Sequence, residues 1–540
     1  MIIINSAAFV NDDLRAEFGL LPPCFLPLGN KRLYSYQIES LRITFPEETI
    51  VISLPKEYDL GRYDALFFKE HNITIIQTSF RLSQGESLYK ILNNITIKHN
   101  ERLIINYGDT LFNDIQDDGD DYFYVSKNVG YYNRAPVRVN NSSFKIEKNY
   151  PAVDDGELVI SGFFCISNVS LLLQYLLGQN FDFLSAIESY YSKVFAKVII
   201  PNTWHDFGHL NSFFTSRTNI TTEREFNTLL INADCVKKKS KKKQKMLGEA
   251  NWFKKLPSEL SIYTPRIFNV KEDALYAEYT IEYLYNLPLS DMAVFCELPK
   301  SCWINVFNSC KNFLMRSLDF SSQNRVSEYV DLDEYNGLYL DKTLQRLHDF
   351  EKTTNINLHK AIFFNGVCYP SIIELAYITS KYIEPTKNDD VIVCHGDFCF
   401  SNILYDFRMQ RVKLIDPRGI NSKNELSIWG DLRYDLAKLN HSVSGLYDLI
   451  IAGQFSINYD YENNSIDFEL YDENYKCIID AYNKIFSNSQ AFSYSSLEIT
   501  CITIHLFLSM LPLHSDSKVR QEAFIANAYR LFSQLNMENV

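Results

Sequence analysis

VIVCHGDFCFSNILYDFRMQRVKLIDPRG, residues 391–419, is the most informative stretch of this 540-residue chain. Apolar and small residues, 391–394, lead into His395-Gly396-Asp397. Four intervening residues separate Asp397 from Asn402, and Ile403-Leu404-Tyr405 then reads as a strand. A turn and a second apolar strand, 412–415, deliver Asp416. An acid, an amide and a second acid in this order suit phosphoryl transfer. The first acid accepts or orients the proton of the attacking hydroxyl, while the amide and the second acid hold the magnesium ions that bridge the phosphates. Those roles fall to Asp397, and to Asn402 and Asp416, with His395 bracing the loop.

The pattern HGDxxxxN followed by IDPRG resembles the aminoglycoside phosphotransferase and choline kinase superfamily, the small-molecule branch of the protein-kinase-like fold. It departs from protein kinases, which carry Arg inside the HxD triplet and DFG at the second acid. The resemblance implies a two-lobed α+β domain that uses ATP and Mg2+ and takes a small-molecule acceptor.

The upstream sequence supplies the rest of such a domain. Segments 226–231 and 235–238 read as a hairpin turning at Asn232-Ala233-Asp234, the start of a small lobe. A strand Lys there neutralises phosphate oxygens and is held by a Glu on the next helix. Lys238 shares a strand face with Val236, which favours it, and Lys239 stands close behind. Glu249, on a helix expected over 245–256, is the natural partner. The other lysines, in a run of seven over 237–245, read as a solvated loop on the phosphate side. EYTIEYL, 278–284, is placed like the hinge whose backbone reads adenine, with Glu282 and Leu284 as the contact positions. Helical patterns then dominate, over 300–317, 340–350 and 370–383. Within 430–439, Asp435, Ala437 and Lys438 resemble the DxAK-type segment that shapes the substrate floor; an ordinary helix start with a capping Asp reads equally well.

The first two hundred residues differ in rhythm. Segments 2–4, 49–54, 73–77 and 103–106 read as buried parallel strands, with the first helix over 33–41, as in a doubly wound α/β sheet. Asn106-Tyr107-Gly108-Asp109 ends one strand, at the sheet edge where ligands bind. Trp204-His205-Asp206-Phe207-Gly208 follows much later. Two aspartates, Asp109 and Asp206, meeting at one crevice would hold a divalent ion against a nucleoside triphosphate. These motifs resemble those of the sugar-phosphate nucleotidyltransferases, a GT-A-like fold, over about residues 1–215. Pro22 to Lys31 looks like that family's PKxLLPxxGK segment, and Gln84-Gly85 sits where it contacts the base. The family's Gly-rich opening loop is replaced by residues 6–15, which contain no glycine. Without glycine the backbone approaches phosphate less closely, and Asp12 and Asp13 add repulsion. Arg15, and Lys31 or Arg32, are the candidates to compensate, and a scaffold that binds without catalysing is the competing reading.

A net charge of −13 argues against a general nucleic-acid binder, which needs a basic face. Eleven cysteines without CxxC pairs or His partners suggest neither disulfides nor a zinc site. The N-terminus lacks a basic lead-in, and no stretch reads as the ~18 apolar residues of a membrane span. A cytoplasmic enzyme is expected, with its oligomeric state open. The chain is expected to comprise a nucleotidyltransferase-like domain, 1–217, and a kinase-like domain, 218–540, with lobes at about 218–290 and 291–540. Consecutive chemistry follows from the fusion: a small alcohol, sugar or polyol phosphorylated from ATP, then coupled to a second nucleotide (CTP, with UTP or GTP as alternatives) as a donor for capsule or lipopolysaccharide synthesis. A kinase with a non-catalytic partner domain, and a choline kinase joined to a cytidylyltransferase, are the other readings.

Overall fold

Strand Ile2–Asn5 is wholly apolar up to its last residue and sits inside a sheet covered on both faces, as the sequence of a buried parallel strand requires. The computed structural model describes residues 1–95, 101–128, 132, 134–140, 143–147, 156–220, 227–324, 332–486, 492 and 494–535. Two units are resolved: Met1–Ile220 with Phe295–Glu297, and Thr221–Val294 with Leu298–Val540. Thr221, Thr222 and Phe226, which the sequence assigns to the link and the first hairpin, lie outside the described residues.

In the first unit a seven-stranded sheet runs, edge to edge, Lys197–Ile199, Tyr122–Lys127, Leu158–Ile166, Leu103–Tyr107, Ile2–Asn5, Ile50–Pro55 and Thr74–Thr78. Ile2–Asn5 pairs in parallel with both Ile50–Pro55 and Leu103–Tyr107. The chain moves outward to Thr74–Thr78, then crosses back to the other side of Ile2–Asn5. That reversal creates the crevice at the carboxyl ends of Ile2–Asn5 and Leu103–Tyr107 in which α/β sheets bind ligands. Two expectations are corrected. The strand at 74–78 is an edge, largely uncovered, rather than buried. The first helix is Asp12–Phe18, ahead of Leu33–Thr44, because Asn11 caps it by accepting from Leu14 N at 3.1 Å. Asp12 and Asp13 thereby stand in the first turn of a helix, where acidic side chains suit the dipole.

The second unit begins with an antiparallel sheet in the order Asn227–Ile231, Cys235–Ser240, Ala277–Glu282, Ile267–Glu272. Helix Lys243–Lys255 packs on it. Most of the lysine run is therefore not a loop: Lys237–Lys239 lie on strand Cys235–Ser240 and Lys243 and Lys245 on that helix, with only Lys241 and Lys242 in the connection. Lys237 pairs with Glu278 at 3.0 Å and Lys243 with Glu272 at 2.6 Å. Strand Leu287–Pro288 pairs with Ile403–Asp406 of the hairpin that leads to Asp416.

The larger lobe is mostly helical, with Lys300–Asn324, Leu340–Glu351, Leu432–Val443, Ser496–Met510 and Lys518–Ser533 as its long members. It also carries a four-stranded sheet, Val367–Tyr369, Ile362–Phe364, Ser465–Leu470, Phe455–Asp460, that the helical reading left out. Its first turn is Asn365-Gly366, both at positive φ (47° and 80°), a strong hairpin signal between apolar residues. Ser496–His514 is 19 residues long with mean hydropathy 1.6. By length and composition it would cross a membrane, but 67% of its apolar window is buried inside the protein, and it packs against four other helices of the lobe as a core element. All eleven cysteines are free.

Candidate active sites

In the second unit, β alternation turns Lys238 inward and Lys237 and Lys239 outward. Lys238 Nζ lies 2.9 Å from Glu249 Oε2 and 2.7 Å from Asp416 Oδ1. Tyr279 donates its hydroxyl to the same Glu249 oxygen at 2.6 Å. Burial lowers the Lys238 pKa, but Asp416 and Glu249 outweigh it, so the ammonium is held protonated. Lys239 lies on the other face, 4.5 Å over the Tyr276 ring, and takes no part in this cluster.

Glu249 reaches Lys238 because its helix lies directly on the segment after Asp416. A Cβ on Gly419, whose φ is 62°, would fall 2.0 Å from Gly248 O. Asp416 itself adopts φ 57°, rare for a residue with a side chain.

His395 is fully buried. Its Nε2 donates to Ile415 O at 3.0 Å, and its Nδ1 accepts from Asp397 N at 3.3 Å. Those partners require a neutral ring with the proton on Nε2. Burial agrees, pushing the imidazole down to about 4. His395 thus ties the loop bearing Asp397 to the strand delivering Asp416. The loop is closed from below by Asp435, which accepts from His395 N at 2.7 Å and Gly396 N at 2.8 Å. Asp435 is no helix cap, since Asp431 caps Leu432–Val443.

Asp397 meets Lys438 Nζ at 2.9 Å and accepts from Asn402 Nδ2 at 2.8 Å. Its side chain remains 40% exposed toward the site. Burial would raise its pKa, but the Lys438 ammonium, helped by His395 and Asn402, holds the carboxyl at about 2. With Asn402 Nδ2 directed at Asp397, Asn402 Oδ1 and the Asp416 carboxylate form an all-oxygen pair suited to a hard cation such as Mg2+. The sequence reading placed Lys438 only in a substrate-floor segment and missed its ion pair with Asp397. Lys438 follows Asp435 by three positions on one helix, so both face the loop. Glu282 ends strand Ala277–Glu282, exposed, its carboxylate accepting from Arg266 N at 3.2 Å. Leu284 O accepts from Asn286 N at 2.8 Å in the turn that follows.

In the first unit, His205–Asp206 pairs with Thr110–Leu111, placing Asp206 opposite Thr110 and next to Asp109. Trp204 anchors the segment, donating to Thr110 Oγ1 at 2.7 Å. A Cβ on Gly208 would come 2.7 Å from Asp109 Oδ2 and 3.2 Å from Asp206 Oδ1, so a side chain there would crowd both carboxylates. Burial and then the Asp206 charge push the Asp109 carboxyl up to about 7. A divalent cation would relieve that repulsion, and two carboxylates completed by phosphate oxygens fit Mg2+. Among the described residues no group of three or more His, Cys, Asp or Glu side chains is placed to hold a metal ion.

The cation expected beside these carboxylates is not the one foreseen. Arg15 is exposed on helix Asp12–Phe18, and Lys31 is exposed 5.6 Å over the Tyr36 ring; neither pairs with Asp109 or Asp206. Arg134 forms the ion pair with Asp206, with its guanidinium 5.2 Å over the Trp204 ring. At Gly85 a Cβ would meet Phe181 O at 2.1 Å, so the glycine also has a packing reason. Gln84, beside it, is exposed in the first turn of its helix and hydrogen-bonds Tyr107.

No protein-family model and no curated protein matches the sequence. Among solved structures, the chain is similar to a nucleoside-diphosphate-sugar pyrophosphorylase from Vibrio cholerae RC9, at 15% identity, over 40% of this chain and 99% of that one, with a TM-score of 0.32. It is also similar to the inositol-1-phosphate CTP transferase from T. maritima, at 18% identity over 39% and 90% of the two chains, TM-score 0.30. An aminoglycoside-3'-phosphotransferase of type VIII matches at 16% identity over 54% and 92%, TM-score 0.32.

Proposed function

We propose that the protein is a bifunctional transferase. The second unit phosphorylates a small alcohol from ATP, and the first couples a phosphorylated compound to a nucleotide with release of pyrophosphate. The observation that carries the kinase half is two ion-paired clusters, Lys238 with Glu249 and Asp416, and Asp397 with Lys438 and Asn402, tied together by His395 between Asp397 N and Ile415 O.

Asp397, kept ionised by Lys438, accepts a hydrogen bond from the acceptor hydroxyl and aims its oxygen at the γ-phosphorus. Lys238, held by Glu249, neutralises α- and β-phosphate oxygens. Asn402 and Asp416 would hold Mg2+, which when bound screens the phosphate charge. In the first unit, Asp109 and Asp206 would hold Mg2+ against a triphosphate, CTP being the first candidate and UTP or GTP the alternatives. Work in series, supplying an activated donor for capsule or lipopolysaccharide decoration, fits the fusion and a cytoplasmic supply of nucleotides.

The glycine-free opening segment favours a second reading, in which the first unit binds a nucleotide without turning it over. One assay separates them. The full chain is incubated with Mg2+, ATP or CTP, and candidate alcohols and phosphates, while ADP and pyrophosphate are followed separately. Both products support two activities, and ADP alone supports the second reading. ADP formation that survives Asp397→Asn at a near-wild-type rate overturns the kinase assignment.

A further inference from the structure

The ground beside Asp397 is cationic. Lys438 is matched by Asp397 itself at 2.9 Å. Two further cations have no such match. Lys342 donates to the Tyr434 hydroxyl at 3.2 Å and stands 5.2 Å over its ring. Arg418 lines a cleft with Gly396, Asn421 and Tyr434, its stem so close to Gly396 that a Cβ there would fall 2.7 Å from Arg418 Cβ. Among the described residues neither Lys342 nor Arg418 has a carboxylate partner.

The acids of the cleft, Glu334 and Asp431, are themselves hydrogen-bonded. Glu334, on the same cleft, accepts from Ser422 N at 2.7 Å. Asp431 pairs with Arg433 at 2.6 Å and accepts from Tyr339 at 2.8 Å. Tyr434 registers the resulting field. Burial alone would raise its phenol, yet Lys342, Lys438 and Arg418 together pull it below the ordinary value. Negative charge is stabilised at this spot, and a quaternary ammonium, which seeks aromatic faces and acids, would be repelled.

We propose that Lys342, Arg418 and Tyr434 form the acceptor subsite, and that the alcohol phosphorylated at Asp397 carries an anionic group, a carboxylate or a phosphate, beside its hydroxyl. The inference rests on the kinase reading. The acceptor oxygen bonds to the γ-phosphorus as the bond from that phosphorus to the departing ADP oxygen breaks, and the hydroxyl proton passes to Asp397 and on to solvent. Lys342 and Arg418 bind the anionic group and orient the hydroxyl, so their effect belongs in acceptor KM.

The test holds the hydroxyl constant and varies the charge. The full chain with ATP and Mg2+ is assayed for ADP with glycerol, glycerate, glycerol 3-phosphate and choline, and glycerol 3-phosphate binding is measured by calorimetry with inorganic phosphate as the control. Glycerate or glycerol 3-phosphate should outpace glycerol and choline. Lys342→Met should raise the KM of the anionic acceptor about tenfold, with Lys342→Arg restoring most of it and the ATP KM little changed. Glycerate against glycerol 3-phosphate distinguishes carboxylate from phosphate. Faster turnover of glycerol or choline, or an acceptor KM unmoved by Lys342→Met, overturns the inference while leaving the kinase reading intact. If no acceptor gives Asp397-dependent ADP, the kinase reading fails. The anion subsite is then overturned if glycerol 3-phosphate binds no tighter than inorganic phosphate, or binds Lys342→Met equally well.

Discussion

Gly248 and Gly419 touch backbone to backbone: a Cβ on Gly419 would lie 2.0 Å from Gly248 O and 2.9 Å from Glu249 N. This bare contact sets how closely the helix bearing Glu249 approaches the segment bearing Asp416, and so allows Lys238 to meet both acids. Any side chain at Gly419 must push the helix away, and its φ of 62° is itself unfavourable for one. Gly419→Ala should cost about 1–3 kcal/mol of stability and break the Lys238–Glu249 pair. The expected kinetic result is a fall of more than about tenfold in kcat/KM for ATP. A structure of the variant with the pair intact would contradict this account.

Lys238 has two carboxylate partners, which makes Glu249→Gln informative. A weakened hold from Glu249 leaves the Lys238 ammonium to Asp416, 2.7 Å away, where it competes with a metal ion for the same oxygens. Glu249→Gln should therefore raise the Mg2+ concentration needed for half-maximal ADP formation, while Lys238→Met should raise the ATP KM without that shift. Magnesium titrations of the two variants make the comparison.

The parts of the second site that lie on contiguous sequence were legible. Asp397, Asn402 and Asp416 come from one loop and hairpin, whose strand and turn signals are local. Lys238 was favoured by period-2 alternation, and burial settles its face. What escaped was long-range. Arg134 and Asp206 lie 72 residues apart, and nothing around Arg134 marks it. Arg15 and Lys31 were candidates because they stand where the family resemblance needs charge, but capping by Asn11 turns the opening segment into a helix. Asn365-Gly366 is a different kind of miss, since its hairpin signal was present in the sequence and the surrounding helical periodicity obscured it.

His505 predicts an acid-labile second unit. It is buried between Thr379 Oγ1 at 3.1 Å and Thr343 Oγ1 at 3.0 Å, and burial brings its pKa down from 6.5 to about 4. The unfolded chain takes up this proton as pH falls below 6.5, while the folded chain resists until about 4. Stability from the neutral ring is thus complete above pH 6.5 and is lost toward pH 4, by about 3 kcal/mol for this group. His505→Gln keeps hydrogen-bonding capacity toward both threonines but cannot titrate. Denaturant unfolding at pH 7 and pH 4.5 should show a shallower loss in the variant than in the wild type; His395 and His514, also near 4, add to the slope, while Asp435 and Asp448, raised to about 6 and about 7, oppose it in both proteins.

Arg134 decides how the first unit manages charge. It pairs with Asp206 and stacks on Trp204, whereas Arg15 and Lys31 point to solvent. A triphosphate entering the crevice brings negative charge to two aspartates already in mutual repulsion, with Asp109 held at about 7. Without a neighbouring cation that repulsion falls wholly on the metal. Arg134→Ala should therefore cut pyrophosphate release by about 10²-fold, the scale of losing one charged transition-state contact, and Arg134→Lys should recover only part because the planar stacking is lost. Arg15→Ala and Lys31→Ala should stay within about twofold. Asp109→Ala and Asp206→Ala should each abolish pyrophosphate release and leave ADP formation unchanged, since the kinase residues lie in the other unit. A large loss from Arg15→Ala with none from Arg134→Ala would show that the opening segment, and not Arg134, carries the triphosphate.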